Sequence, residues 1–211
     1  MSLFLPTRRA TRTMAFTLVE LAIVLVIIGL IISGVLTAQQ ITQNARITSA
    51  IQGIKSVQAA TQSYNQNFGV LPGDDEQALS RFVNKGVLGN GNHDGTIGAN
   101  NASGNGESQY FWSHLRAAGL IKGDATLPTP LGNPFGGAFS VQNGAFAPDA
   151  FAGTNVVCLD HVPGSAAQAI DQQLDDGLAD KGNIVGGTAA AGAKATSYDT
   201  SSIYVLCTPL Q

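Results

Sequence analysis

Hydrophobic positions are spread very unevenly along the chain. From Phe16 to about Ala38 nearly every residue is apolar, and no charge occurs between Leu21 and Ala45. A helix of that length, rising about 1.5 Å per residue, can cross a hydrocarbon core about 30 Å thick. Polar residues then enter and the pattern becomes periodic. Ile47, Ile51, Ile54, Val57, Ala60, Tyr64 and Phe68 recur at three- and four-residue intervals among Gln, Asn, Ser and Lys55. That spacing predicts an amphipathic helix with one apolar stripe. No proline interrupts residues 16–68, and Gly69 followed by Pro72-Gly73 closes the segment. The pattern reads as one continuous helix of roughly fifty residues, about 75 Å long. Its first half is expected in lipid or among other helices, its second half against a folded domain.

Beyond Phe68 the texture changes to short pieces punctuated by Gly, Asn, Ser, Asp and Pro. Pro72-Gly73 signals a type II turn, and Asp74 or Asp75 can cap a short helix running to about Asn84. Ser108–Ala118 reads as a second helix, with Phe111, Leu115 and Ala118 on one face and Gly119 as its stop. Pro163-Gly164-Ser165 opens a third, with Ala166, Ala169, Ile170 and Leu174 apolar, ended by Asp175-Asp176-Gly177. Ala138–Val141, Asn155–Leu159 and Ser202–Leu206 are predicted strands. Gly187–Lys194, mostly Gly and Ala, is expected to be a mobile loop. The fold class is therefore α+β: a long N-terminal helix, transmembrane first and amphipathic second, packed on a small antiparallel sheet with short helices.

Charge sharpens this picture. The 211 residues carry a formal net charge of −3, with only 12% charged residues. Three of the eleven basic residues, Arg8, Arg9 and Arg12, precede the apolar run without any acid. Without the first fifteen residues, eight basic residues face fourteen acidic ones, a net charge of −6. An acidic chain of this kind has no electrostatic footprint for nucleic acid. A basic leader before an apolar core also fits an ordinary secretory signal. Such a signal, however, has an apolar core of about 7–15 residues and a small-x-small cleavage site. Leu36-Thr37-Ala38 puts a bulky residue where a small one is needed, so cleavage there is not expected. Arginines before the helix and none just after it place the N-terminus in the cytoplasm and the remainder outside.

The string Ala15-Phe16-Thr17-Leu18-Val19-Glu20, ahead of an apolar helix, resembles the prepilin signature of type IV pilins and type II secretion pseudopilins. LPGDD, SHLRAAGLI and AIDQQLDDG resemble recurrent phrases of prepilin-type proteins but bring no known chemistry. The resemblance implies cleavage between Ala15 and Phe16 by a prepilin peptidase and N-methylation of Phe16. Ala15 departs from the usual Gly, so slower processing is expected. The resemblance further implies that Glu20 offsets the positive N-terminal amine of a neighbouring subunit, since two desolvation costs cancel only where the charges meet. Thr17 and Glu20 also read as a T-x-x-E capping box, with Glu20 favourable against the helix dipole. The two roles are compatible.

Cys158 and Cys207 fall at predicted strand ends on the oxidising side of the membrane. An even count there points to one disulfide, with two buried free thiols as the other reading. It is also similar to the C-terminal disulfide of many pilins. Asn90, Asn92, Asp94 and Thr96, with Gly95 and Ile97, have the spacing of a calcium loop, although Asn101 stands where a bidentate Glu is needed. A plain Asn-Gly-rich turn explains the same residues. No cofactor is otherwise expected. His93, His114 and His161 are scattered, His114 reading as a surface or partly packed residue, and no nucleophile elbow, phosphate loop or dinucleotide fingerprint occurs. An enzyme is not expected.

The chain thus reads as four segments: a removable leader (1–15), a transmembrane assembly helix (16–38), its amphipathic continuation (39–68) and an extracytoplasmic domain (69–211). The resemblance implies a structural subunit of a type IV pilus or type II secretion pseudopilus. It would be held in the bacterial inner membrane and then moved into a periplasmic or extracellular filament. The implied partners are the prepilin peptidase, other subunits, and an inner-membrane platform with a motor ATPase. The alternative is a membrane-anchored periplasmic binding or sensor domain that never polymerises. A secreted enzyme starting near Gln39 is a third reading, and it discards the long helix.

Overall fold

The computed structural model describes residues 16–98, 106–146, 150–190 and 192–210. The chain divides into two compact units, residues 1–42 and 43–211. In the first, helix α1 (Leu18–Phe68) begins, and its apolar side chains are exposed on every side, from Leu18 through Ile41. In the second, α1 continues as the spine of a small α+β domain.

That domain contains α2 (Ala78–Arg81), α3 (Glu107–Ala117), β1 (Phe139–Asn143), β2 (Asn155–Pro163), α4 (Gly164–Leu174), β3 (Val185–Gly187) and β4 (Ile203–Pro209). The strands form one antiparallel sheet in the order β1-β2-β4-β3. The predicted strands become β1, β2 and β4, each extended by two to four residues at its C-terminal end. β3 is an addition to the expected strands, because Val-Gly-Gly has no alternation to read. Gly187 closes that strand and pairs with Lys194 across an isolated bridge, so the expected loop is tied together at both ends.

The sheet is buried on both faces, which explains the nearly continuous apolar run Val156-Val157-Cys158-Leu159 in central β2. Val157 and Leu159 face the main core with Ile47, Ile54, Val57 and Tyr64 of α1 and with Phe111, Trp112 and Leu115 of α3. Val156 and Cys158 face a smaller cluster with Phe146, Phe151, Val185 and Cys207. Gly53 sits where α1 meets β1: any Cβ there would run into the Phe139 ring. β2 loses register between Leu159 and Val162, a bulge carrying His161 at φ 57°.

The helices correct two expectations. Asp75 accepts the Gln77 amide at 2.8 Å, yet the helix beyond it is only Ala78–Arg81 and stops well before Asn84. His114 is fully buried, not at the surface. α3 ends as read: Gly119 takes φ 74°, and the Leu120 amide reaches back to the Leu115 carbonyl at 2.9 Å.

Candidate functional site

The first candidate is the start of α1. The Thr17 amide and hydroxyl both donate to Glu20 Oε2 at 2.8 Å, and the Glu20 amide donates to Thr17 Oγ1 at 3.2 Å. This reciprocal arrangement is a capping box, which satisfies donors that the first helical turn leaves orphaned. Its carboxylate is held at the rim of the apolar surface, one turn from Phe16, which is itself exposed. Ala15 lies outside the described residues. Downstream, a stretch of α1 reaches a mean hydropathy of 2.9 with none of it buried. Among the described residues it is the one helix long and apolar enough to cross a membrane. Such a surface can partition into lipid or pack against further apolar helices.

The second candidate is the 90–97 loop. Asn90 Oδ1 accepts the Leu79 amide at 2.8 Å, and Asn92 Oδ1 accepts the Asp94 amide at 3.1 Å. Asp94 Oδ1 accepts both the amide and the hydroxyl of Thr96, at 2.8 and 2.7 Å, which holds its carboxyl below the usual carboxylate range. Two acids from outside the loop do the anchoring. Asp74, from the turn before α2, accepts the Asp94 and Gly95 amides at 3.0 and 2.9 Å. Glu107, at the start of α3, accepts the Asn92 and Gly98 amides at 3.1 and 2.7 Å. Burial pushes the Glu107 carboxyl up despite those bonds. Oxygens of Asp74, Asp94 and Glu107 come within 4.8 Å of one another. Each oxygen of Asp74 and Glu107 accepts one backbone amide, so the cluster anchors the loop, and each keeps a lone pair that a cation could use. Sequence spacing missed Asp74 and Glu107 because both are distant in the chain. Asn101 lies outside the described residues.

Cys158 and Cys207 are joined in a disulfide across β2 and β4, at directly opposed positions with Cα atoms 4.0 Å apart. Both are buried, in the smaller cluster. The side chains around His114 form a further buried group. Its Nδ1 accepts the Gly73 amide at 3.0 Å, and its Nε2 lies 2.9 Å from the Gly89 carbonyl, so the proton sits on Nε2. The ring stacks with both Tyr64 and Tyr110. Tyr64 donates to Asp75 at 2.7 Å, and Arg81 pairs with Asp75 at 3.1 Å. His114 is thereby fixed as a neutral packing residue, with both nitrogens engaged by backbone.

No family model matches the chain, and no curated protein does. Among solved structures, the major type IV pilin PilA1 from Clostridium difficile is similar, at 14% identity over 81% of this chain and 97% of that one. The TM-score is 0.41, too low for the likeness to bear on function.

Proposed function

We propose that the chain is a structural filament subunit, of a type IV pilus or a type II secretion pseudopilus. In this reading it is processed before Phe16 by a prepilin peptidase, N-methylated there, and drawn from the inner membrane into a helical assembly. The N-terminus starts in the cytoplasm and the domain 43–211 lies outside. The observation that carries the reading is the all-round apolar exposure of α1 from Leu18 to Ile41, headed by a carboxylate locked in place by Thr17. A chain with one such helix needs apolar neighbours on every side. Lipid provides them before assembly, and other copies of the helix provide them in a filament. The resemblance of Ala15–Glu20 to the prepilin signature supports the same role, and a platform with a motor ATPase would drive the transfer.

Calcium held by Asp74, Asp94 and Glu107 would raise the melting temperature of the domain, whereas an unchanged melting temperature would leave these acids as a loop anchor alone. The decisive measurement is the intact mass and N-terminal sequence of the protein from native membranes. A chain starting at N-methylated Phe16 supports the reading, and Glu20→Ala should then abolish incorporation into filaments. A chain starting at Met1 or Ser2 favours an anchored, non-polymerising domain. A start near Gln39 overturns both.

A further inference from the structure

Two contacts set how the rest of the 43–211 unit lies along its own part of α1. The Gln43 side chain donates to Ser165 Oγ at 3.1 Å, and the Gln58 side chain donates to the Pro209 carbonyl at 2.8 Å. Between the two glutamines the helix rises about 22 Å. β4 covers about 20 Å from Ile203 to Pro209, and Pro209 is its end beside Gln58. Its other end, Ile203, pairs with Pro163, two residues before Ser165. Gln43, Ser165, Pro163 and Ile203 therefore share one corner of the domain.

Pro163 and Ile203 are directly opposed in an antiparallel pair, so their side chains leave the sheet on the same face. Val162 and Tyr204, next along each strand, point the other way and are buried. The opposed pair is thus turned outward: Pro163 is exposed and Ile203 is 60% exposed. Arg46 is one helical turn beyond Gln43, exposed, and without a hydrogen bond or ion pair among the described residues. Helical side chains lean toward the helix N-terminus, which brings the guanidinium back toward the level of Gln43. The acid of the adjoining turn, Asp199, is folded into that turn, where Oδ1 accepts the Ser201 amide and hydroxyl at 2.9 Å.

We propose that this corner rests on phospholipid headgroups, with Pro163 and Ile203 set into the interface and Arg46 on a lipid phosphate. Position along the chain carries the argument. Gln43 follows Ala38, where the apolar run ends, by a helical path of only about 7.5 Å. A headgroup layer is about 5–7 Å deep on each side of the hydrocarbon core, so a chain whose apolar run fills that core holds Gln43 at the headgroup level. The corner that touches Gln43 is thereby brought against that layer. Its outward apolar pair suits the acyl-chain boundary, and its free guanidinium suits the phosphate. So few groups would bind a separate vesicle weakly, but the anchor holds the lipid surface at hand, and a weak contact then suffices. The inference rests on the bilayer anchoring proposed above for α1.

The test places a nitroxide on the full chain, with a single copy in each lipid nanodisc of equimolar phosphatidylethanolamine and phosphatidylglycerol. The label goes on Thr200→Cys in the corner turn, on Val83→Cys beside the Phe82 that packs on Phe68, or on Ile27→Cys in the apolar run. The native cysteines are joined and leave no free thiol. Collision with a water-soluble nickel chelate is expected to be slower at the Thr200 site than at the Val83 site, and slowest at the Ile27 site. Adding Arg46→Gln should move the docked-to-free ratio at the Thr200 site about fivefold toward free, the effect of one basic residue at an anionic surface. Ile203→Ser should move it the same way, and neither change should alter the melting temperature, since both side chains are exposed. Equal collision rates at the Thr200 and Val83 sites, with the Ile27 site shielded, would overturn the inference and leave the anchor standing. An accessible Ile27 site would overturn the anchor and the inference with it. Shielding of the Thr200 site only when several copies share a disc would assign the corner to a second copy and overturn the lipid contact.

Discussion

The two parts of α1 are built from similar residues and put them to opposite use. Between Leu18 and Ile41, leucine, isoleucine and valine point in every direction and all are exposed. Between Ile47 and Tyr64 the apolar residues form a single stripe, and all of that stripe is buried in the domain. A stripe is the width of one folded face, so the chain's own sheet and α3 can cover it. An all-round apolar helix is wider than any one face, so its neighbours must come from a bilayer or from several other helices. The periodicity of a helix thus says whether its partner is internal or external.

The sharpest way to break that comparison is to make one substitution in each part. Ile54→Asp places a carboxylate in the main core, where Ile54 is 3% exposed. A loss above about 4 kcal/mol, enough to unfold a marginal domain, is expected in chemical denaturation. Ile27→Asp should leave the denaturation midpoint of the domain unchanged and instead weaken membrane insertion by about 3 kcal/mol. Equal effects on the midpoint would mean that the two parts are not energetically distinct.

The disulfide gives the next largest effect, and it belongs to the internal side of the comparison. Cys158 and Cys207 are 49 residues apart, and closing a loop of that size restricts the unfolded chain by about 4 kcal/mol on the entropy model. The double Cys→Ser variant should unfold at correspondingly lower denaturant, with its membrane partition unaltered. Partition of the variant between detergent and aqueous phases checks the second half of that statement.

What could be read in the sequence divides in the same way. The long helix, its change from all-round to striped, and three of the four strands were legible because each is a local periodic signal. The disulfide was legible from an even cysteine count combined with the expectation that the domain lies on an oxidising side. The anchoring of residues 90–98 was not, because Asp74 and Glu107 act across nine to twenty-one residues, and a carboxylate in a Gly-Asp-Asp turn looks solvated. His114 misled for a related reason. Its burial depends on Gly73 and Gly89, two backbone groups that have no side-chain signature at all. β3 was invisible because two of its three residues are glycines that fit beneath Tyr198 and Phe146. Periodicity reports what one element wants. It does not report what distant turns supply.

A smaller effect tests how the buried stripe ends. Tyr64, the last fully buried residue of the stripe, donates its hydroxyl to buried Asp75. Burial pushes the Asp75 carboxyl up, but the Tyr64 hydroxyl, the Gln77 amide and the Arg81 guanidinium outweigh it and hold it below the usual range. Tyr64→Phe keeps the ring contacts with Phe68 and removes only the hydroxyl. A loss of about 1–3 kcal/mol is expected, since a buried acceptor loses one of its partners. Thermal melting at neutral pH measures it, and an unchanged midpoint would show that the Gln77 amide and Arg81 together satisfy Asp75.

The smallest expected effect is a pH dependence confined to the domain, and its sign is set by His114. The neutral ring accepts the Gly73 amide on Nδ1, so a second proton there would face a donor it cannot bond. Burial pushes the imidazole below its ordinary value of 6.5, and the Gly89 carbonyl and Asp75 only partly oppose this. The folded state therefore binds this proton less readily than the unfolded state. Stability is full above about pH 6.5 and falls as the pH drops toward the folded value, by at most about 1.4 kcal/mol per pH unit. Nearer the carboxylate range the raised Glu107 and Asp171 oppose this loss while the lowered Asp75 and Asp94 add to it, so the His114 contribution is read above about pH 5.5. His114→Gln can keep an acceptor for Gly73 and a donor for Gly89 while removing the titration. Melts between about pH 8 and 5.5 should then slope in the parent chain and run level in the variant. The same slope in both would assign the effect to other groups and leave His114 as packing alone.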